Sequence, residues 1–152
     1  MEDASYLLDT NILLRLLQPR DLEYTLVRRA LETLRSGGAQ LCFAPQNLAE
    51  FWNVCTRPAE QNGFGLSVPE TDRRAQLIES AFRLLVDTEH IHVEWRRLVV
   101  VHGVAGAQVH DARLVATMIV HGVSNLLTLN ERDFARYQEV NVVHPRQVLA
   151  AI

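Results

Sequence analysis

The chain has 152 residues, of which 48% are hydrophobic, and its formal net charge at pH 7 is -3. This length and apolar content suit one compact domain with a hydrophobic core, and they exclude a disordered chain. No apolar stretch approaches the roughly 20 residues that a membrane-spanning helix requires, and no segment resembles a signal peptide, so we expect a cytoplasmic protein without a membrane partner.

The polar composition removes several classes of enzyme. All fifteen basic residues are arginine, and the chain contains no lysine. This excludes P-loop and Schiff-base chemistry, which require a lysine. It also argues against receiver domains and haloacid-dehalogenase-type phosphohydrolases, which place an acidic residue after the first strand but normally use a lysine. No HExxH motif or zinc-type Cys/His spacing is present, and Cys42 and Cys55 lie in apolar segments as expected for buried thiols.

The hydrophobic pattern predicts strands and helices in alternation. In chain order, the predicted elements are a strand at residues 5–8, helices at 11–17 and 21–36, a strand at 40–44, a helix at 45–56, a loop at 58–66, a helix at 67–86, a short strand around Ile91, helices at 94–101 and 109–121, a strand at 126–129, a short helix at 131–137, a strand at 140–143 and a helix at 145–150. Strands joined by helices require crossover connections, so the sequence predicts an α/β fold with a mostly parallel sheet covered by helices.

Three helix boundaries carry specific signals. Asp21 is a suitable N-cap for the second helix, and Ser67 with Glu70 fits a capping box at the start of the fourth. Gly122 follows the helix at 109–121 and is the expected C-terminal stop.

Ligands of open α/β sheets bind beyond the carboxyl ends of the strands, and Asp9 lies directly after the first predicted strand. It stands between two apolar runs, where an unpaired carboxylate would be costly to bury. Asp9 therefore needs a hydrogen-bond donor, an arginine or a metal ion. The alternative is a purely structural N-cap for the next helix, with Asn11 assisting.

Asp111 lies near the start of the helix at 109–121. Projected at 100° per residue, it shares the apolar face with Leu114, Val115 and Met118. A carboxylate at the beginning of a core-facing stripe points to a cleft. An N-cap role is again the structural alternative.

Glu50 gives a weaker signal. On its predicted helix it lies with Gln46 and Asn53, opposite Leu48 and Trp52. The same pattern is typical of a helix face in contact with solvent, and that alternative stays open.

Asn130 and Asp133 follow the strand at 126–129 and stand one helical turn apart, so both could face the same site. The structural alternative makes Asn130 an N-cap with Asp133 at the third helical position.

Several carboxylates at one edge of a sheet repel each other unless cations compensate, and hard oxygen ligands suit Mg²⁺ or Mn²⁺. Such ions serve phosphoryl chemistry, so hydrolysis of a phosphodiester is the reaction we expect. The net charge does not oppose a nucleic-acid substrate. If four carboxylates hold metal, the remaining charge is -3 + 4 = +1.

Four segments resemble the PIN-domain family, in particular the VapC-type toxins of bacterial toxin–antitoxin pairs. They are LLDTNILL at 7–14, LAEFWNV at 48–54, VHDARLVATM at 109–118 and LLTLNERDF at 126–134. The resemblance covers nearly the whole chain and implies a single PIN-like domain over residues 1–152, with a Rossmann-like three-layer α/β/α sandwich. It also implies Mg²⁺- or Mn²⁺-dependent cleavage of RNA, a homodimer and a small antitoxin that blocks the site.

The family ligands carry over onto Asp9, Glu50 and Asp111. The fourth position is either Asn130 or Asp133, because many members have an acidic residue where this chain has Asn130. Thr10 and Thr128 match small hydroxyl residues that often line the site, and Asn11 lies beside them.

Four residues near these motifs are candidate contacts for RNA phosphates: Arg57, His110, Arg113 and Arg132. The competing interpretations are a PIN-type nuclease that acts on DNA, a catalytically inert RNA- or protein-binding module, and a structural dimer.

Overall fold

The computed structural model describes residues 4–151; residues 1–3 and 152 of the predicted domain lie outside the described residues. Within residues 4–151 the strands are β1 (Ser5–Leu8), β2 (Gln40–Phe43), β3 (Arg83–Leu84), β4 (Asn125–Leu127) and β5 (Asn141–Val143). The α-helices are α1 (Thr10–Leu16), α2 (Tyr24–Ser36), α3 (Pro45–Thr56), α4 (Val68–Ala81), α5 (Glu89–Val101), α6 (Val109–His121) and α7 (Pro145–Ala150). Short 3₁₀ helices cover Ala59–Gln61, Gly106–Gln108 and Glu131–Phe134.

The strands form one parallel sheet in the order β3-β2-β1-β4-β5. β1 lies at its centre, where Leu7 is in register with Cys42 of β2 and with Leu126 of β4. Because all five strands run in the same direction, their carboxyl ends meet at one edge. The residues that follow β1 and β4 are therefore neighbours in space, although they are far apart in sequence.

The helices cover both faces of the sheet, as the alternation of buried strand residues requires. Leu7, Cys42 and Leu126 pack on one face against residues of α5 and α6. Leu8 and Leu127 point to the other face and pack against residues of α1, α2, α3, α4 and α7. The predicted parallel α/β/α sandwich is confirmed. None of the helices within residues 4–151 is long and apolar enough to cross a membrane.

Two predicted elements in the middle of the chain are wrong. The helix predicted over residues 67–86 ends at Ala81, where Phe82 is extended and leads into the edge strand β3. Both residues of β3 are exposed, so no hydrophobic alternation marks that strand. The strand predicted around Ile91 is absent, because Ile91 is a fully buried residue of α5, which also begins earlier than the predicted residue 94.

Two of the three predicted helix boundaries are confirmed, and the one at Asp21 is not. Ser67 caps α4 by accepting the Glu70 amide at 3.2 Å, and Gly122 ends α6 with a φ of 68°. Asp21 does not cap α2 directly; its carboxylate accepts the Glu23 amide at 2.8 Å, and the helix begins one turn later. The short helix predicted at 131–137 is a 3₁₀ helix over Glu131–Phe134.

Candidate active site

Asp9 occupies the junction between β1 and α1 and is only 8% exposed. Its amide donates to the Leu127 carbonyl at 3.0 Å, which attaches it to the end of β4. Its Oδ1 accepts the Thr10 amide at 2.8 Å, and its Oδ2 accepts the Thr128 hydroxyl at 2.7 Å. Asp9 therefore does cap α1, and the same carboxylate is also fixed at the carboxyl edge of the sheet.

The surroundings of Asp9 disfavour its negative charge. Burial raises the pKa of Asp9 to about 6 from the ordinary 3.8, although the hydrogen bonds from Thr128 and Thr10 oppose this rise. The charges of Glu50 and Asp133 raise the Asp9 pKa further. Those two carboxylates therefore lie close enough to Asp9 to act on it, even though they belong to different elements of the chain.

Glu50 lies on α3 and is bound to protein groups, not simply solvated. Its Oε2 accepts the Thr10 hydroxyl at 2.7 Å, and its Oε1 accepts the Gln46 side-chain amide at 2.8 Å. Asn47, which is fully buried, adds a donor to the Thr10 hydroxyl at 3.3 Å. The face of α3 that carries Glu50 therefore contacts the beginning of α1.

Asp111 sits in the first turn of α6, where Gln108 holds the N-cap position. Burial raises the pKa of Asp111 to about 7, and the charges of Asp9, Asp133 and Glu50 also raise it. A nearby arginine, Arg136, partly opposes this shift. The predicted N-cap alternative for Asp111 does not describe this position.

Asp133 and Asn130, the two candidates for the fourth metal ligand, interact with the site in different ways. The charge of Asp133 raises the pKa of both Asp9 and Asp111. Asn130 contributes its backbone amide, which donates to the Thr128 hydroxyl oxygen at 3.0 Å. This arrangement favours Asp133 as the fourth carboxylate of the group, which we call the acidic cluster: Asp9, Glu50, Asp111 and Asp133.

Thr128 and Asn11 hold the loop after β4 against the start of α1. The Thr128 hydroxyl donates to Asp9 and accepts the Asn11 side-chain amide at 3.4 Å. Asn11 in turn accepts the Leu129 amide at 3.3 Å. Thr10 and Thr128 fix the orientation of the Asp9 and Glu50 carboxylates, and Asn11 supports Thr128.

The donor set of the acidic cluster fits a hard divalent cation. Its ligands would all be carboxylate oxygens, and their mutual repulsion is the kind that a cation relieves. As the side chains stand, no three acidic, histidine or cysteine side chains within residues 4–151 are arranged to hold an ion together. Binding of a cation would therefore require the carboxylates to move closer together, and the cation's charge would offset their mutual repulsion.

The candidate phosphate contacts have different environments. Arg57 donates to the Asn62 carbonyl at 3.1 Å and so supports the loop after α3. Arg113 lies 3.3 Å from the Asp87 carboxylate, and His110 is exposed beside Asp111. Arg132 is exposed and forms no ion pair within the described part of the chain.

The sequence analysis did not predict that Gln46 and Arg136 act on the acidic cluster. Gln46 donates to both Glu50 and the His110 carbonyl at 2.8 Å, so it joins α3 to α6. Its spacing of one helical turn before Glu50 was the available signal. Arg136 acts electrostatically on Asp111, and its position three residues after Asp133 was the only hint.

Comparison with known proteins agrees with the fold described above. The PIN domain family matches residues 6–140. No curated protein matches the chain significantly. Among solved structures, VapBC2 from Rickettsia felis, bound to a DNA fragment from its promoter, matches with 16% identity and a TM-score of 0.68, over 92% of this chain and 98% of that chain.

Two further structures are similar. A toxin–antitoxin complex from Klebsiella pneumoniae has 24% identity and a TM-score of 0.65, over 92% of this chain and 97% of that chain. VapC20 from Mycobacterium tuberculosis, described as a sarcin–ricin loop cleaving toxin, has 17% identity and a TM-score of 0.67, over 90% of this chain and 98% of that chain. At these identities the likeness establishes the fold. Because the family match spans most of the chain, this protein belongs to the PIN domain family.

Proposed function

We propose that this protein is a divalent-metal-dependent endoribonuclease that hydrolyses RNA phosphodiesters and acts as the toxin of a toxin–antitoxin pair. Membership of the PIN domain family supports a nuclease. The observation that carries the proposal is a group of carboxylates near the carboxyl edge of the sheet: Asp9 and Glu50 share Thr10 as a hydrogen-bond donor, and the charges of Asp9, Glu50 and Asp133 raise the pKa of Asp111. Asp9 among them is 8% exposed and fixed by two hydrogen bonds.

Asp9, Glu50, Asp111 and Asp133 would hold the cation, and Mg²⁺ or Mn²⁺ suits their oxygen-only donor set. A divalent cation would offset the carboxylate charges and the charge that develops on the phosphate, and it would ease deprotonation of the attacking water. Asn130 contributes to the site through its backbone amide, which supports Thr128.

Hydrogen bonds within the chain orient two of the carboxylates before any cation or substrate binds. The Thr128 hydroxyl orients Asp9, and the Thr10 hydroxyl orients Glu50. Asp111, with a pKa of about 7, holds a proton for part of the time near neutral pH. Binding of a cation would displace that proton, so we expect metal affinity to increase with pH.

The choice of RNA and of a toxin role draws on the similar structures. VapC20 is described as cleaving the sarcin–ricin loop, and the Klebsiella protein was solved as a toxin–antitoxin complex. By analogy we propose an RNA substrate and a cognate antitoxin for this protein, and the family resemblance adds a homodimer to the proposal. A cytoplasmic location is consistent with such a role and remains a prediction.

The test is cleavage of mixed tRNA and rRNA by the purified protein with Mg²⁺, with Mn²⁺ and with EDTA. Asp9→Asn is the inactive variant, and Asp72→Asn is the matched control, because Asp72 is an exposed carboxylate on α4 that accepts a hydrogen bond from Gln76 and lies on a different helix from the acidic cluster. We expect metal-dependent cleavage by the wild type and by Asp72→Asn, and none by Asp9→Asn.

Other outcomes select the alternatives. Cleavage of single-stranded DNA in preference to RNA would favour a DNA-directed PIN nuclease. Absence of cleavage and of metal binding in the folded wild type would favour an inert binding module. Full activity of Asp9→Asn would contradict the assignment of the acidic cluster.

A further inference from the structure

A pocket of about 290 Å³ lies between α5 and the beginning of α6. Its lining residues are Thr88, His92, Trp95, Val109, His110 and Arg113. This volume is near the lower limit of roughly 300 Å³ for pockets that bind small ligands. The pocket therefore suits one planar group rather than a folded segment of chain.

The pocket adjoins the acidic cluster through α6 and α3. His110 precedes Asp111 in the first turn of α6 and Arg113 follows in the second, so the beginning of α6 supplies both a wall of the pocket and one carboxylate of the cluster. Gln46 reinforces this connection, because its side-chain amide donates to Glu50 and to the His110 carbonyl, both at 2.8 Å. Its Oε1 lies 3.5 Å from the Arg113 guanidinium.

The pocket presents an aromatic surface whose orientation is fixed. The Trp95 indole N–H donates to the Val109 carbonyl at 2.8 Å, and the ring is partly buried against the core. The His92 ring is 5.9 Å from that of Trp95, with an angle of 36° between their planes. A tryptophan held at one edge in this way can stack a planar ligand without losing further side-chain freedom.

The charge at the pocket suits an anionic ligand. The Arg113 side chain is 38% exposed and lies 3.3 Å from Asp87, whose side chain is 47% exposed. A pair this exposed is weak, so a phosphate can compete with Asp87 for the guanidinium. A flat aromatic surface beside an available arginine is the combination that binds a nucleotide of a single strand.

We propose that this pocket binds one unpaired base of the RNA strand, stacked on Trp95, next to the phosphate that the acidic cluster cleaves. The inference rests on the proposed ribonuclease function and goes beyond it, because it assigns a substrate subsite and requires single-stranded RNA at that position. Arg113 contacts the phosphate attached to the same nucleotide.

The first experiment uses the fluorescence of Trp95 to report binding of RNA at the pocket. Trp52 lies in a different cavity, with Leu48 and Leu84, so Trp52→Phe leaves Trp95 as the single tryptophan without altering the pocket. In an Asp9→Asn background that prevents cleavage, we expect a short single-stranded oligoadenylate to quench Trp95 fluorescence. The same strand in a duplex with oligouridylate should quench it much less.

The second experiment replaces the stacking surface. Trp95→Leu should raise the KM for single-stranded RNA by about tenfold, because base–aromatic stacking contributes at that level, whereas Trp95→Phe should retain most of the affinity. Trp52→Leu is the matched control and should leave the KM unchanged. Circular dichroism and thermal melting report whether each variant folds.

An abasic substitution keeps the proposal testable if Trp95→Leu does not fold. Once a cleaved site is known, RNAs with one abasic residue at successive positions are compared. We expect a single position beside the cut where loss of the base raises the wild-type KM about tenfold, and the same position should stay sensitive in Trp95→Phe, because Phe still stacks the base.

The outcomes separate this proposal from the one on which it rests. RNA cleavage with no sensitive abasic position and no quenching of Trp95 would overturn the subsite and leave the ribonuclease function intact. Failure of the wild type to bind or cleave any RNA would overturn both.

Discussion

The Thr10 hydroxyl donates a hydrogen bond of 2.7 Å to the Oε2 of Glu50, and this contact joins the first residue of α1 to the middle of α3. Thr10 also donates its amide to Asp9. Thr10 therefore orients the carboxylates of Asp9 and Glu50, which lie 41 positions apart in the sequence.

Loss of this hydroxyl should impair cleavage without unfolding the protein. We expect Thr10→Val to lower kcat/KM about tenfold, which is about 1.4 kcal/mol of transition-state stabilisation, because Glu50 loses one of its two donors and retains only Gln46. Thr10→Ser should restore most of the activity. If Thr10→Val were as active as the wild type, the positioning role would be wrong.

The stability of the metal-free protein should fall as the pH rises from about 4, near the ordinary pKa of aspartate, to about 7, the pKa of Asp111. The pKa values of Asp9 and Asp111 are raised from 3.8 to about 6 and about 7, so the folded state retains protons that the unfolded state releases. Below about pH 4 the two aspartates are protonated in the folded and in the unfolded protein. Above this pH the free energy of unfolding decreases until Asp9 and Asp111 are ionised in the folded protein as well.

Asp111→Asn should make this decrease smaller. One pKa unit corresponds to about 1.4 kcal/mol, and after allowance for solvent screening we expect Asp111 to account for about 2 kcal/mol of the loss. Urea unfolding in EDTA, at the lower and at the upper end of this pH range, measures the change in the free energy of unfolding, with Asp72→Asn as control. An unchanged pH dependence in Asp111→Asn would contradict the shift.

Gln46 should act as a positioning residue that connects two parts of the site. Gln46→Ala removes the donor to Glu50 and the bridge to the His110 carbonyl. We expect a lower kcat with a smaller change in KM, while the melting temperature stays close to that of the wild type. A reduced melting temperature with normal kcat would instead identify Gln46 as purely structural.

Asp133 and Asn130 can be distinguished by substitution. Asp133→Asn removes a charge that acts on Asp9 and Asp111, so we expect a large loss of cleavage and a shift of the pH profile to lower pH. Asn130→Ala retains the backbone amide that supports Thr128 and should reduce cleavage only slightly. The reverse order of effects would make Asn130 the ligand.

The sequence predicted the layers of the fold because its central strands are short apolar runs joined by helices, as in a parallel sheet that is covered on both faces. Leu7 and Leu8 point to opposite cores, and Leu126 and Leu127 do the same. The edge strand β3 could not be predicted, since it has two exposed residues and no periodicity. Ile91 was misassigned because one buried apolar residue among polar neighbours fits a short strand as well as a helix.

The candidate site was predictable only in part. Asp9 was predicted because a carboxylate between apolar runs requires a partner, and its burial agrees with that argument. Glu50 could not be separated from a solvated residue by periodicity, because its contact with Thr10 spans 40 positions. The same limit applies to Arg136 and to the pocket at Trp95, which depend on how α5, α6 and the chain after β4 pack together.

The most direct test of the acidic cluster is Mn²⁺ binding, measured by electron paramagnetic resonance on the wild type and on single variants. We expect the wild type and Asp72→Asn to bind Mn²⁺ with the same affinity, and Asp9→Asn, Glu50→Gln, Asp111→Asn and Asp133→Asn each to bind it more weakly. Equal affinity in all of these folded proteins would contradict a shared metal site at the carboxyl edge of the sheet.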